Sequence, residues 1–390
     1  MGLHLVTAAE AAETVASNGQ PGGFDTVIDV RSPAEFAEDR LPGAVNWPVL
    51  DDEQRRIVGT LYKQESALAA RKVGAVMVAR NIAAHFEQWV QDKPRDWQPL
   101  VYCWRGGQRS GSLAWFLGQI GFRTAQLQGG YKGFRAVVRD ELDSRPAALH
   151  FKVLTGRTGS GKTRLLHALA AQGAQVLDLE GLACHRGSVL GGLPDQPQPA
   201  QKRFDTLVWQ ALRSFDPSRP VFVESESLRI GRLAVPAALL LRMREHGQVL
   251  RVQMDEAARV ALLLQDYRHF ADDVDAFCGL LDALTVLRGR ATVQAWQAQA
   301  RAGQWASLFA DLMATHYDPL YERSLARSYG SLATAPLLAL GDGGEMALAE
   351  VAHHLIQTLP TEPDAPDPPD APDTPDAPAP PDPPGTVPCT

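Results

Sequence analysis

The chain has 390 residues, of which 45% are hydrophobic and 21% charged, a composition typical of soluble globular proteins and sufficient for two domains. We expect neither a membrane span nor a secretory signal. No apolar run approaches roughly 18 residues, and no basic segment precedes an apolar one near the N-terminus. The four cysteines have no paired spacing, which argues against a disulfide framework or structural zinc and favours the reducing cytoplasm.

The formal net charge of −7 comes from the end of the chain. The last thirty residues contain six Asp, one Glu and no Lys or Arg, and they also hold 12 of the 28 prolines. Residues 1–360 are therefore formally neutral, so the overall charge does not exclude a nucleic-acid partner. Because it has almost nothing apolar to bury, segment 360–390 is predicted to be a disordered, acidic, Pro-rich tail.

Strands alternate with helices along most of the chain, which predicts the α/β class with parallel sheets. In the first part, strands are predicted in FDTVIDV, PLVYC and TAQLQ, each followed by a helical pattern. Ser144–His150 is predicted to be a linker. Beyond it, FKVLTG, QVLDLEG, PVFVESE and QVLRVQMD predict a second sheet, residues 256–327 are mainly helical, and PLLALGDGG offers a last strand. We therefore expect domains at 1–145 and 150–358, the second with a helical extension.

The stretch VYCWRGGQRS places Cys103 directly after an apolar strand and before a glycine-rich turn that opens a helix. Such a turn directs backbone N–H groups inward, and the helix N-terminus adds positive potential, so together they form an anion cradle. With Arg105 and Arg109 nearby, the thiol should ionise below the usual pKa of ~8.5 and act as a nucleophile. The predicted cradle consists of Trp104, Arg105, Gly106, Gly107, Gln108, Arg109 and Ser110. The alternative is a buried structural cysteine at the end of a core strand.

Two chemistries fit a cysteine in such a loop, a phosphatase and a sulfurtransferase. The upstream segment VIDVRSPAEFAEDRLPGAVNWPV, Val27–Val49, resembles the signature of the rhodanese family. That resemblance implies a rhodanese fold for residues 1–145, with Cys103 as the chalcogen-handling residue. Asp29 and Arg31 are expected to brace the fold. Tyr102 stands where phosphatases usually carry histidine, which disfavours that class.

The second motif, GRTGSGKT, satisfies the phosphate-loop pattern G-x-x-x-x-G-K-[ST] between a predicted strand and a predicted helix. Its backbone amides should wrap a di- or triphosphate, Lys162 should place a charge on the outer phosphate, and Thr163 could ligate Mg²⁺. We predict no metal site besides that one. The predicted phosphate-binding residues are Gly156, Arg157, Thr158, Gly159, Ser160, Gly161, Lys162 and Thr163.

Further candidates follow the strands of the second part. Glu224 and Glu226 end one strand and Asp178 ends another, so each is a candidate acid or substrate contact, the alternative being a solvated or capping carboxylate. In the loop EGLACHRGSVLGG, His185 and Arg186 suit an anion or an RNA phosphate, or are ordinary surface residues. Arginines of the later segments would form a phosphate-binding stripe if several share a face, and the default interpretation is solvated helix surface with interspersed Asp and Glu. These arginines are Arg242, Arg244, Arg251, Arg259, Arg268, Arg288 and Arg290.

The order of YCWRGGQRS, GRTGSGKT, LEGLACHRGS and VESESLRIG resembles the bacterial tRNA 2-selenouridine synthase family, as do VGTLYKQES and HYDPLYERSL. The resemblance covers about residues 5–345. It implies conversion of wobble 2-thiouridine in tRNA to 2-selenouridine with selenophosphate, through a sulfur-geranylated intermediate made from geranyl diphosphate. It also implies binding of the tRNA anticodon region and selenophosphate synthetase as the donor source. The oligomeric state stays open.

On this interpretation Cys103 accepts selenium or handles the selenium nucleophile, while Lys162 and Thr163 hold the diphosphate. Two alternatives remain open at the level of sequence. One is a rhodanese-type sulfurtransferase fused to an ATP-dependent small-molecule kinase. The other is a non-catalytic module, such as an RNA-binding regulator, in which both loops only bind anions.

Overall fold

The protein is described by a computed structural model covering residues 4–16 and 23–358. In this part of the chain, two five-stranded sheets and a hairpin account for the strands. The strands are β1 His4–Val6, β2 Thr26–Asp29, β3 Val45–Asn46, β4 Pro99–Tyr102, β5 Ala125–Leu127, β6 Phe151–Thr155, β7 Gln175–Leu177, β8 Val221–Glu224, β9 Arg229–Ile230, β10 Leu233–Ala234, β11 Gln248–Gln253 and β12 Leu337–Ala339.

The α-helices of the described residues are α1 Ala8–Ala16, α2 Pro33–Glu38, α3 Asp52–Gln64, α4 Ala67–His85, α5 Gln108–Ile120, α6 Gly130–Ser144, α7 Lys162–Ala171, α8 Leu179–Ala183, α9 Gln201–Ser214, α10 Ala237–His246, α11 Glu256–Asp266, α12 Val274–Asp282, α13 Thr285–Arg288, α14 Arg290–Arg301, α15 Trp305–Leu312, α16 Asp318–Ser328 and α17 Glu345–Thr358. Two π-helical turns extend α4 and α15, at Phe86–Val90 and Met313–Tyr317. None of these helices is long and apolar enough to cross a membrane.

The first sheet has the order β1-β5-β4-β2-β3, and all its neighbouring strands are parallel. Strand β4 lies in its centre and all four of its residues are buried, as expected for a strand covered on both faces. Because parallel strands end at the same edge, the loop after β4 lies beside the ends of β2 and β5. Cys103 is the first residue of that loop.

The second sheet has the order β12-β11-β6-β8-β7, again with parallel neighbours. Its central strand β6 leads directly into the phosphate loop. The neighbouring strand β8 ends at Glu224, beside the end of β6. The two parallel sheets confirm the predicted fold class, with a helical extension formed by α11 to α16. In that extension a separate core forms around Phe277, Trp296 and Phe309.

Local signals explain where several elements begin and end. The Asp51 carboxylate accepts a hydrogen bond of 2.7 Å from the Gln54 amide, and the Gln54 side chain accepts one of 3.1 Å from the Asp51 amide, so α3 starts with a capping box. Helices α3 and α4 form a pair between β3 and β4. The hairpin β9–β10 follows β8. Neither feature was predicted as an element from the sequence.

The predicted linker at Ser144–His150 is structured. Helix α6 runs to Ser144, a 3₁₀ turn follows at Arg145–Ala148, and Pro146 and Leu149 are buried. Buried side chains from both sheets join one hydrophobic cluster across this connection. The two halves therefore pack against each other. The predicted tail at 360–390 lies outside the described residues.

Candidate functional site

The Cys103 thiol is buried and contacts the predicted cradle through Ser110. The side chain is only 3% exposed and contacts the hydrophobic core of the first sheet, while the Ser110 hydroxyl donates a hydrogen bond of 3.2 Å to Sγ. The Gln126 side-chain amide donates to the Gly106 carbonyl and to the Ser110 hydroxyl, each at 2.8 Å, and so fixes the turn. The thiol thus combines the burial of a structural cysteine with the donors of an anion site.

Two opposing effects set the pKa of Cys103. Burial raises this pKa. It is lowered by hydrogen bonds from the Ser110 hydroxyl and amide and from the Arg105 amide, and by the charge of Arg109. The lowering effects together outweigh burial, so the net shift of the pKa is downward. This agrees with the expected activated thiol. The Arg105 side chain is exposed, so its contribution comes from its backbone amide.

Arg109 differs from the prediction in its partner. Its guanidinium pairs with Glu35 at 2.8 Å rather than standing free beside the sulfur. The Glu35 carboxylate also accepts from the Ser32 amide at 3.1 Å, which links the cysteine loop to the start of α2. Asp29 and Arg31 form a fully buried salt bridge of 2.6 Å at the end of β2. They brace the fold, as expected.

The lysine of the phosphate loop is bonded to the loop's own backbone. The Lys162 ammonium donates to the Gly156 carbonyl at 2.8 Å and lies 5.3 Å from the centre of the Tyr321 ring. The Gly156 amide donates to the Tyr321 hydroxyl at 2.8 Å, so α16 contacts the start of the loop directly. Gly161 has φ +82°, a left-handed conformation that favours glycine, and it precedes the first residue of α7. The predicted strand, loop and helix are all present.

One of the predicted stripe arginines instead supports this loop. Arg259 is 4% exposed, donates to the Thr158 carbonyl at 3.0 Å and pairs with Asp318 at 2.6 Å. Arg157, in turn, forms an ion pair with Glu322 on α16. The phosphate loop is therefore clamped between α11 and α16, which sequence reasoning did not identify.

Three more of these arginines bond to acceptors of the protein itself. Arg288 bonds to His316 at 3.0 Å, Arg242 to the Leu149 carbonyl at 3.2 Å and Arg244 to the Glu226 carbonyl at 3.4 Å. These three guanidinium groups donate hydrogen bonds within the protein and so do not form a free phosphate-binding face.

Three carboxylates meet beside Thr163. Glu180, Glu224 and Glu226 each place an oxygen within 4.8 Å of the others. Burial raises the pKa of all three. Repulsion from Glu224 adds to this at Glu180 and Glu226, and the pKa of Glu226 reaches about 8. Glu224 is 6% exposed, and its Oε1 has no hydrogen-bond partner. The group can bind a hard cation or keep a proton.

Sequence reasoning named Glu224 and Glu226 but missed Glu180. Strand β7 pairs with β8, with Leu177 opposite Val223, so a carboxylate shortly after β7 comes close to Glu224. The strand-end rule pointed to Asp178 instead. Asp178 caps α8 by accepting from the Gly181 amide at 2.8 Å and contacts His167 at 3.1 Å. It also lines the cavity at the phosphate loop, so its role as a substrate contact stays a prediction.

His185 and Arg186 line the same space. Burial lowers the pKa of His185, and its Nδ1 has no hydrogen-bond partner. Arg186 donates to the Asp266 carbonyl at 2.8 Å and lies 5.0 Å from the centre of the Tyr267 ring. Arg186 is thereby held in place by α11 at the edge of the phosphate-loop cavity.

The cavity has a volume of about 760 Å³, which suits a ligand larger than a single phosphate. Its lining combines residues 158–164 and the three glutamates with apolar and aromatic side chains that include Leu263, Leu320 and Tyr317. Among the described residues that line it, none comes from the cysteine loop. The two predicted anion sites are therefore separate.

Two family models match the chain. The rhodanese-like domain matches residues 7–137, and the tRNA 2-selenouridine synthase AAA domain matches residues 149–280. Relatives named tRNA 2-selenouridine synthase are similar along the chain. One from Nitrosomonas europaea is 38% identical over 62% of this chain and 63% of its own length. Those from Alcanivorax borkumensis and Shewanella halifaxensis are 33% and 35% identical, over 78% and 69% of this chain and 91% and 71% of their own lengths.

The fold and its two sites define a protein that joins a rhodanese-like cysteine cradle to a phosphate-loop domain. The chain belongs to the tRNA 2-selenouridine synthase family. This confirms the family and the enzyme class predicted from the sequence. The alternative of a rhodanese fused to a small-molecule kinase does not fit the family model that matches the second part.

Proposed function

We propose that this protein converts wobble 2-thiouridine in the anticodon of tRNA to 2-selenouridine in two transfers. In the first, the base sulfur attacks C1 of geranyl diphosphate, so a C–S bond forms, the C–O bond breaks, diphosphate leaves and the base loses a proton. In the second, selenide attacks C2 of the base, a C–Se bond forms and geranylthiol leaves. Alkylation makes the sulfur a better leaving group.

The observation that carries this proposal is the mixed character of the cavity at the phosphate loop. Lys162 and the loop amides suit a diphosphate, while Leu263, Leu320 and Tyr317 offer apolar surface to a hydrocarbon chain. Burying each methylene of such a chain contributes about 0.8 kcal/mol. A diphosphate ester with an apolar tail suits both kinds of lining.

The second transfer belongs to the cysteine loop. Hydrolysis of selenophosphate breaks its P–Se bond and releases selenide without any redox change. Transfer of selenium onto sulfur as a selenosulfide requires an oxidant, so we favour a role for Cys103 in handling the selenide. The Arg105 and Ser110 amides, which lower the pKa of Cys103, also suit the anionic donor. Selenophosphate synthetase is the proposed donor source, in the cytoplasm.

A divalent cation fits the first site. Glu180, Glu224 and Glu226 supply clustered carboxylate oxygens beside Thr163, the donor type that Mg²⁺ prefers, and Glu224 Oε1 lacks a partner. These residues would hold Mg²⁺ next to the diphosphate. When bound, the ion would neutralise charge on the leaving group.

The experiment is incubation of the purified protein with 2-thiouridine-containing tRNA and geranyl diphosphate, with and without selenophosphate, followed by mass analysis of the nucleosides. Geranylated thiouridine is expected without the donor and 2-selenouridine with it. Lys162→Ala should slow geranylation on the order of a hundredfold, as loss of a charge-stabilising group does. Cys103→Ser should retain geranylation and lose selenation.

Unchanged geranylation in Lys162→Ala would remove the phosphate loop from this role, and unchanged selenation in Cys103→Ser would remove the thiol. ATP turnover with no modified nucleoside would support a kinase instead. Ser218→Ala is a suitable control because Ser218 is an exposed loop residue that bonds only to Asp216.

A further inference from the structure

A second, smaller cavity adjoins the phosphate-loop cavity. The two share Thr158, Ser188, Leu263, Tyr267 and Tyr317. The smaller cavity has a volume of about 10 Å³, room for no more than a water molecule. Its remaining walls are Leu190, Phe309, Leu312 and Met313. We call these four side chains, which line the smaller cavity but not the large one, the floor.

The shared wall starts at the phosphate loop itself. A Cβ atom placed on Gly159 would lie 3.1 Å from Leu263 Cγ, so Leu263 packs against the loop. A hydrocarbon chain that leaves the diphosphate along this wall meets Leu263 first and the floor residues last. The floor is well packed, because Leu312 is 1% and Met313 2% exposed.

Helix geometry supports a special role for this floor. Met313 and Tyr317 both belong to the π-helical turn that continues α15, and both line the smaller cavity. Such turns are rare and occur often at functional sites. Because Tyr317 lines both cavities, the turn connects the floor to the main site.

We propose that Leu312 and Met313 limit the length of the prenyl chain that the diphosphate substrate can carry. Leu263 is the first apolar side chain that this prenyl chain contacts. The proposal rests on the proposed function, because it assigns the tail of the same substrate. A ten-carbon geranyl chain fills the wall up to the floor. A fifteen-carbon farnesyl chain is rejected because the floor has no space for the additional isoprene unit.

The test compares geranyl and farnesyl diphosphate as substrates for tRNA prenylation. In Met313→Ala and Leu312→Ala, the ratio of kcat/KM for farnesyl over geranyl should rise at least tenfold, about the smallest effect expected for one methylene of apolar fit. Leu263→Phe fills the wall beside the phosphate loop and should shift preference towards dimethylallyl diphosphate. Leu308→Ala is the matched control, because Leu308 is buried in the same core but lines neither cavity.

Binding measured by calorimetry with the same diphosphates separates the two proposals. Wild-type protein that transfers no prenyl group contradicts the proposed function, while its binding preference still tests the floor. Floor variants with the wild-type chain-length preference, or a Leu308→Ala variant with the same shift as the floor variants, would overturn the proposal. If Met313→Ala does not fold, Met313→Val makes a smaller opening and should give a smaller shift in the same direction.

Discussion

At the scale of single residues, the Ser110 hydroxyl is the feature that most directly activates the thiol. It donates to Cys103 Sγ and helps offset the burial that would otherwise raise the pKa of that thiol. Ser110→Ala should therefore raise the pKa of Cys103, and the midpoint of its alkylation should move to higher pH. Peptide-resolved mass spectrometry after timed alkylation across a pH series measures this.

Ser112→Ala provides the control, since Ser112 lies on the same helix and donates only to the Gln108 carbonyl at 2.8 Å. An alkylation midpoint that stays in place when Ser110 is replaced would mean that the hydroxyl does not stabilise the thiolate. In that case the remaining amide donors must account for the lowered pKa.

The carboxylate cluster should make stability depend on pH when no divalent cation is present. Burial and the neighbouring Glu224 raise the pKa of Glu226 to about 8, above its ordinary value near 4.5. A raised pKa means that its stabilising contribution is complete below about pH 4.5 and is lost as pH rises towards 8. Urea unfolding in chelator should therefore show a falling free energy of unfolding across that range.

Glu226→Gln removes this titration and should flatten the slope. Glu245→Gln changes an exposed carboxylate of α10 and should leave the slope as in the wild type. Equal slopes in all three proteins would mean that Glu226 ionises at its ordinary pH in the folded protein.

At the scale of elements, the cysteine loop depends on close backbone approach from the start of α6. Gly130 has φ +58°, and a Cβ there would lie 2.3 Å from the Cys103 carbonyl oxygen and 2.4 Å from the Gly106 amide. Gly130→Ala should cost at least about 1–2 kcal/mol from the left-handed backbone alone. The clash should also displace the loop and abolish selenation. Chemical denaturation and the nucleoside assay measure these effects.

Gly107→Ala is the contrasting variant in the same loop. Its φ is −98°, and a Cβ there meets nothing within 4 Å. It should keep stability, because the added Cβ displaces no neighbouring atom. If both alanine variants behave alike, steric fit at Gly130 is not what holds the loop.

Strands and loops can be predicted from the sequence, whereas contacts between distant elements cannot. The strands containing Val101 and Val223, and both glycine-rich loops, follow from local apolar runs and turn residues, so they were predicted. The clamp of Arg259 on the Thr158 carbonyl joins residues 101 positions apart, and it looked like one more surface arginine. Glu180 became a site residue only through the order of strands β7 and β8. Such pairings are set by the packed fold and leave no local pattern.

At the scale of the whole molecule, the two halves are joined by polar bonds as well as apolar packing. Asp39 of the first half accepts from the Thr206 hydroxyl of the second at 2.9 Å, and Arg135 pairs with Asp205 at 2.7 Å. These groups are mostly buried, so separating the halves would leave polar groups without partners. We infer that this interface fixes the position of the cysteine loop relative to the phosphate-loop cavity.

Trp209 on α9 lies in the middle of this interface. It is fully buried, meets Phe134 of α6 edge to face at 5.3 Å between ring centres and donates to the Glu141 carboxylate at 3.0 Å. Trp209→Ala should lower the free energy of unfolding by about 3–5 kcal/mol, as expected for removing a buried Trp. Because the halves share one core, both should lose stability together.

Thiol exposure of Cys103 reports on the first half and diphosphate binding on the second. Trp115→Ala, at a 57% exposed site, should leave both transitions unchanged. If loss of Trp209 weakens diphosphate binding while Cys103 stays protected from alkylation, the two halves unfold independently. The interface would then not hold the two sites in a fixed relative position for the tRNA base.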